Sequence, residues 1–322
     1  MNGYVEFTLA IPTYNRAKYL PAILERLRSQ VELENLLWEI LIIDNNSNDD
    51  TAFVIHNYQA DWDANCSLNY FLELQQGITF ARLRAVREAK GQLIAFLDDD
   101  NLPALNWVKE AVIFAKEHPQ AGAFGGQIHG KFELKPPENI ERIQGLLAIR
   151  ERGSEAHLYD PANLSLPPGA ALVFRKQAWD ESIPNKLIFK GRLGKLKVAG
   201  DDFELLLYFH KAGWQIWYNP AMHTEHQIPS WRLEKDSLIT LARGCGFSIC
   251  QLRLINTKTW QKPIILMKIF LSNLRRLIKH IIKFRTKFNN DVVALAEMEF
   301  YFSSMISPFY SLMLGLQKSI VE

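Results

Sequence analysis

Apolar and polar positions alternate from Val5 to Ile11 and the pattern stops at Pro12, which predicts a first β-strand. Thr13, Asn15 and Arg16 follow as a turn, and Leu20, Ile23, Leu24 and Leu27 recur at helical spacing. Glu39 to Ile43 is a second apolar strand, closed by Asp44-Asn45-Asn46-Ser47, residues that favour turns and helix caps. From Gly77 to Lys90, Ile78, Ala81, Ala85, Val86 and Ala89 share one side of a predicted helix that Gly91 ends. Leu93 to Leu97 is apolar throughout, as expected of a strand buried on both faces. Trp107 to Glu117 predicts a helix and Ala121 to Gly126 a strand. Strands and helices alternating in this way predict an α/β fold with a mostly parallel central sheet flanked by helices.

Residues 130 to 168 are the least regular, with Pro136-Pro137 and Pro167-Pro168, and long loops of this kind often bind ligands. Gly169 to Phe174 resumes as a strand, Asp202 to Lys211 as a helix, and Trp214 to Tyr218 as a late strand ending at Asn219-Pro220. Further on, Met267, Phe270, Leu271, Leu274, Leu277, Ile278, Ile281 and Phe284 form one apolar stripe. Lys268, Arg275, Arg276, Lys279, His280 and Lys283 take the other side. Two outcomes fit that pattern: a helix lying in a membrane interface, or one packed on the body with a solvated basic face.

Charge sharpens the picture of the tail. Residues 237–290 hold eleven Lys or Arg, the last of them Lys287, and no Asp or Glu. The rest of the chain carries 26 basic against 35 acidic residues, a net −9, although the whole is at +2. An acidic body (residues 1–236) with a basic helical extension (237–322) points to an anionic surface as partner. The apolar stripe suits lipid or protein better than a phosphate backbone, so nucleic acid is not expected. Cys66, Cys245 and Cys250 form no C-x-x-C pair, which predicts reduced thiols in the cytoplasm. No signal peptide is expected, and no apolar run long enough to span a bilayer.

The candidate chemistry lies in carboxylates at strand ends. Asp98-Asp99-Asp100 follow the buried run, Asp44 closes an earlier strand, and Asp201-Asp202 open a helix. Ligands of open α/β sheets bind beyond the carboxyl ends of strands. Adjacent carboxylates raise one another's pKa unless a cation neutralises them, and Mn²⁺ or Mg²⁺ with substrate phosphates would do so. A carboxylate away from that cation can act as a general base. His223 and His226, in a loop after the last strand, are candidate ligands; His223 reads as an ordinary surface histidine.

These residues together resemble the family-2 glycosyltransferases of the GT-A fold, over about Phe7 to Gly246. Pro12-Thr13-Tyr14-Asn15-Arg16 is similar to the family's P-x-Y-N-R loop, and Asp44-Asn45-Asn46-Ser47 to its D-[DN]-x-S segment. Gly77-x-x-x-Ala81-Arg82 resembles the G-x-x-x-A-R helix start, and Phe96 to Asp100 the D-x-D element. Gly169-Ala170-Ala171-x-x-Phe174-Arg175 is similar to the segment beside the donor sugar, with Ala171 where Asn is frequent. Gly200-Asp201-Asp202-x-Glu204-Leu205 resembles G-E-D-x-[DE]-L, and His226 the late His element. Asp50 and Leu83 depart from the usual Gly and Asn.

The resemblance implies that Pro12, Tyr14, Asn15, Arg16, Asp44 and Arg82 bind the nucleotide, with Asp98 or Asp99 near the ribose. It places Asp100 and His226 on the metal, Gly169, Ala170 and Arg175 by the donor sugar, and Asp202 beside Asp201 as the catalytic base. The implied activity is inverting transfer from a nucleoside diphosphate sugar, with UDP the expected nucleotide, to a polysaccharide or lipid-linked acceptor. The overall pattern resembles bacterial exopolysaccharide transferases, including the hormogonium-polysaccharide type. A peripheral position on the inner face of the plasma membrane is the matching expectation. A non-catalytic sugar-nucleotide-binding protein of the same fold, or a nucleotidyltransferase, is the alternative; the latter would favour a Gly-rich, Lys-bearing first loop that is absent.

Overall fold

Burial of the apolar runs builds the scaffold of the site. The computed structural model describes residues 5–62, 64–191, 197–285 and 291–321, with side chains as far as Met313; Lys287 lies outside the described residues. The chain begins β1 (Phe7–Thr13), α1 (Leu20–Arg28), β2 (Trp38–Asp44), α2 (Thr51–Ala60), β3 (Ser67–Leu72), α3 (Ile78–Glu88) and β4 (Leu93–Leu97). It continues through β5 (Asn101–Pro103), α4 (Trp107–Glu117), β6 (Ala121–Phe132), β7 (His157–Leu158), β8 (Ala171–Arg175) and α5 (Lys176–Ser182). Then come α6 (Asp201–Lys211), β9 (Gln215–Ile228), α7 (Lys235–Ile255), α8 (Lys262–Phe284) and α9 (Val292–Val321).

The sheet runs β3-β2-β1-β4-β8-β6-β9-β5, with β7 on β9. Its first four strands are parallel; β8 pairs antiparallel with both β4 and β6, and β5 and β7 each pair antiparallel with β9. The all-apolar β4 is buried at every residue, and Ile11, Ile42 and Leu97 share one core with Ile23 and Leu24 of α1. Pro12 does not end β1, contrary to the alternation pattern. Pairing with β4 stops at Ala10, and Thr13 still accepts from Asn45 N on the β2 side, so the missing N–H removes no ladder bond. Likewise β9 continues past Pro220 to Ile228, with Asn219 Oδ1 accepting from Ala221 N at 3.0 Å. His223 and His226 therefore sit in a strand, not in a loop.

By packing, the chain divides into two units. One comprises Met1–Lys131, Ala148–Asn185 and Tyr208–Gln227, the other Phe132–Leu147, Lys186–Leu207 and Ile228–Glu322. Within the second, α9 packs on both α7 and α8. Gly246 of α7 permits a close approach there: a Cβ would fall 2.6 Å from that of Ser303. Among the described residues α7 is long and apolar enough to cross a membrane, which the sequence reading did not expect. Its buried Leu238, Ala242, Phe247 and Cys250 make it equally a core helix. Burial pushes the Cys66 and Cys250 thiols up to about 12 and about 11, which leaves both unreactive near neutrality.

His280 is buried in the same unit. Its Nε2 meets the Ala294 carbonyl at 2.8 Å, and Glu297 lies 3.8 Å from Nδ1. Burial first, then Arg142 and Lys283, lower its pKa against the opposing pull of the Ala294 bond and Asp291. The folded state thus binds fewer protons than the unfolded one below the ordinary imidazole value of about 6.5. Stability from this group is present above that pH and is lost as pH falls. Melting curves between about pH 8 and pH 5 should show a steeper loss for the wild type than for His280→Gln.

Candidate nucleotide and cation site

The parallel half of the sheet delivers its polar residues to one end. β1 ends at Thr13, β2 at Asp44 and β4 at Leu97, immediately before Asp98. The two loops leaving β1 and β2 interlock. Asn15, at φ 53°, donates its N–H to Ser47 Oγ at 2.9 Å, and Asn48 N donates to Asn15 Oδ1 at 2.8 Å. Ala17 N donates to Asp49 Oδ2 at 3.1 Å. Asn45 extends the brace, accepting from Gly77 N at 2.7 Å and donating to the Gln75 carbonyl at 2.7 Å, which fixes the start of α3. Asp50, where the related pattern has Gly, holds φ −72° and needs no glycine.

Asp44 is buried and oriented by two donors, Ser47 N at 2.9 Å and the Tyr70 hydroxyl at 2.8 Å. Burial and the Asp44 carboxylate push that phenol up to about 12. Tyr14, in the loop after β1, is exposed, as suits a residue meeting a ligand. Arg82 is buried under the triplet, 3.5 Å from Asp98 Oδ1 and with its guanidinium 5.2 Å from the Phe96 ring.

The three carboxylates divide. Asp99 points into the β1 loop, where Thr13 Oγ1 donates at 2.7 Å and Arg16 Nε lies at 3.5 Å. Burial, then Asp100, raise its pKa to about 7 despite Arg16 and Thr13, with Asp98 adding to the rise. Asp98 is the more open, its side chain 38% exposed against 11% for Asp99. Asp100 is buried, and its Oδ1 lies 3.6 Å from His226 Nε2. Register places that histidine there, because Asn101 of β5 pairs with His226 of β9.

An imidazole nitrogen and a carboxylate oxygen, beyond hydrogen-bonding distance yet side by side, are a donor set that suits Mn²⁺. Among the described residues no group of three His, Cys, Asp or Glu converges, so those residues supply few ligands. Mg²⁺-type ions held by one or two side chains complete their shell with water and substrate phosphates. The pair fits that requirement.

The remaining predicted residues separate. Ala170 lies by the triplet, its carbonyl accepting from Asp98 N at 2.9 Å, and Gly169 precedes it. Arg175 does not join them. It pairs with Leu93, at the opposite end of β4 from the carboxylates. Its guanidinium donates to the carbonyls of Ala115, His118 and Ala121 and so closes the end of α4. Arg175→Ala should cost about 2 kcal/mol in chemical denaturation and leave donor affinity unchanged. Asp201 and Asp202 belong to the other unit. Gly200, at φ 129°, turns the chain into α6, whose first turn holds both. Glu204 is buried and spent on Ile188 N at 2.6 Å and Phe189 N at 2.9 Å.

Thr13 and Tyr70 orient the carboxylates without having been singled out in the sequence. Thr13 stands in the loop motif, whereas nothing in β3 marks Tyr70.

Comparison with known proteins agrees with the geometry. The model of the family described as glycosyl transferase family 2 matches residues 8–181. The glucosyl-dolichyl phosphate glucuronosyltransferase of Haloferax volcanii is 23% identical over 175 residues, 54% of this chain and 55% of that protein. The chain thus matches about half the length of this relative, and less of several others. Among solved structures, the mannosyltransferase PcManGT from Pyrobaculum calidifontis, in complex with GDP-Man and Mn²⁺, superposes with a TM-score of 0.60 at 16% identity. That match covers 95% of this chain and 87% of the other. Residues 1–349 of TarS from S. aureus, in complex with UDP-GlcNAc, superpose at 0.52 and 14% identity, covering 94% and 91%. At these identities the likeness is one of fold.

Proposed function

Because the chain belongs to glycosyl transferase family 2, we propose that it moves a sugar from a nucleoside diphosphate donor to a saccharide acceptor with inversion. The observation that carries this reading is the convergence of the Pro12–Arg16 loop, Asp44, Arg82, Asp98–Asp100 and His226 beyond the ends of β1, β2 and β4. Asp44 takes the base and Asp98, the open carboxylate, the ribose. Tyr14, Asn15 and Arg16 enclose the nucleotide. Asp100 and His226 would hold Mn²⁺ or Mg²⁺, and a cation bound there would offset the charge of the leaving diphosphate. Gly169 and Ala170, without bulk, leave room for the donor sugar.

Asp202 accepts the proton of the acceptor hydroxyl while that oxygen attacks the anomeric carbon, and the diphosphate departs with the bonding pair. Asp201 stands beside it as the second candidate. UDP is the proposed nucleotide, supported by the UDP-GlcNAc complex among the fold neighbours, with GDP the competing outcome. The proposed acceptor is a lipid-linked or polymeric saccharide, supported by the dolichyl-phosphate substrate in the name of the Haloferax relative. Transfer would then occur at the cytoplasmic face of the membrane.

A thermal-shift panel of UDP-, GDP- and dTDP-sugars tests the donor assignment. One nucleotide should raise the melting temperature by a few degrees, and more with Mn²⁺ than without it. Absence of any shift across the panel would remove the nucleotide site.

A further inference from the structure

The tail helix α8 carries two separate apolar faces. Ile269, Leu277 and Phe284, with Asn273 and His280, form the buried face of α8, which packs on α9. On a helix of 3.6 residues per turn, Ile264, Met267, Leu271, Ile278, Ile281 and Ile282 line a different strip. Every one of these six is exposed, between 41% and 68%. The single stripe expected from the sequence is thus divided: part docks and part remains outside.

The outer strip widens onto α9. Phe270 at its border meets Phe309 edge-on, ring centroids 5.9 Å apart. Phe309 is itself exposed, and Phe302, two turns earlier on the same side, is exposed as well. Beyond them Leu312 and Met313 continue the apolar surface. From Ile264 to Ile282 the strip is about 27 Å long at 1.5 Å per residue. Along its other border Lys268, Arg275, Arg276, Lys279 and Lys283 are all exposed.

We propose that this ridge of α8 and α9 docks on the headgroup and acyl boundary of an anionic lipid bilayer. A straight apolar strip flanked by a row of cations matches that boundary: side chains enter the acyl layer while the ammonium and guanidinium groups meet lipid phosphates. A second copy of the chain fits it less well. It would bring the same basic segment, in which residues 237–290 offer no carboxylate to answer the cations. The inference gives the lipid-linked acceptor proposed above a place to be met, but its evidence is separate from that reading.

Flotation of the full chain with phosphatidylcholine vesicles, with and without phosphatidylglycerol, tests it. The wild type should bind anionic vesicles at least roughly tenfold better than neutral ones and lose binding as salt rises. Ile278→Glu/Ile282→Glu alters only exposed positions and should lose anionic binding by a similar factor. Its donor thermal shift should stay unchanged, so failure here is distinct from failure of the nucleotide site. No binding of the wild type at low salt, or wild-type binding by the variant, overturns the proposal. So does a wild-type dimer in light scattering that the variant converts to monomer.

Discussion

Asp202→Asn is expected to lower transfer by roughly 10²- to 10⁴-fold, the usual contribution of a general base, with donor affinity unchanged. Three carboxylates lie within four residues at the start of α6, so the choice needs an argument. Glu204 is buried, and both its oxygens are committed to the backbone of Ile188 and Phe189. Its loss would loosen that segment, not remove a proton acceptor. Asp201 and Asp202 are half-buried in the first turn, and the motif resemblance selects the second. Asp201→Asn is the control. Single-turnover rates with saturating donor separate the two: a full effect from Asp201→Asn and none from Asp202→Asn would exchange their roles.

Asp100→Ala should abolish the Mn²⁺-dependent part of donor binding while cation-independent nucleotide binding persists. In the proposed site the described residues offer the ion little besides Asp100 and His226, so losing the only charged ligand of the pair would leave an imidazole that cannot hold it alone. Titration calorimetry with and without Mn²⁺ reads this directly. Asp99→Asn makes an informative contrast. Asp99 is buried against Asp100 and already inclined to hold its proton, so a neutral amide should raise the melting temperature of the ligand-free protein. Equal stability losses in the two variants would contradict the division of roles between them.

Much of the scaffold was legible because burial writes itself into local pattern. β2 and β4 were visible as apolar runs, and α4 spans the predicted Trp107–Glu117. Errors arose where a local rule was outvoted by distant partners. Pro220 reads as a strand end, yet the Asn219 side chain and the neighbouring strands carry β9 through it. Arg175 sits in a motif associated with the sugar, but antiparallel pairing with β4 carries it to the far end of the sheet. The choice between Asp98 and Asp99 is open in the sequence because it depends on Thr13, Arg16 and Arg82, the nearest of them sixteen positions away. The tail stripe is visible in the sequence, but a helical period alone does not say which part of it will find a neighbour.

The interlocked loops after β1 and β2 bear on how donor preference can change. Asn15 both donates to Ser47 and accepts from Asn48, and Ala17 leans on Asp49, so each loop is part of the other's fold. A substitution in one alters the template on which the other is shaped. Base selectivity should therefore evolve, and be engineered, by exchanging residues 13–17 and 44–51 as a matched pair. Chimaeras carrying one foreign loop should lose recognition of both parental nucleotides, whereas a double exchange should recover the incoming preference.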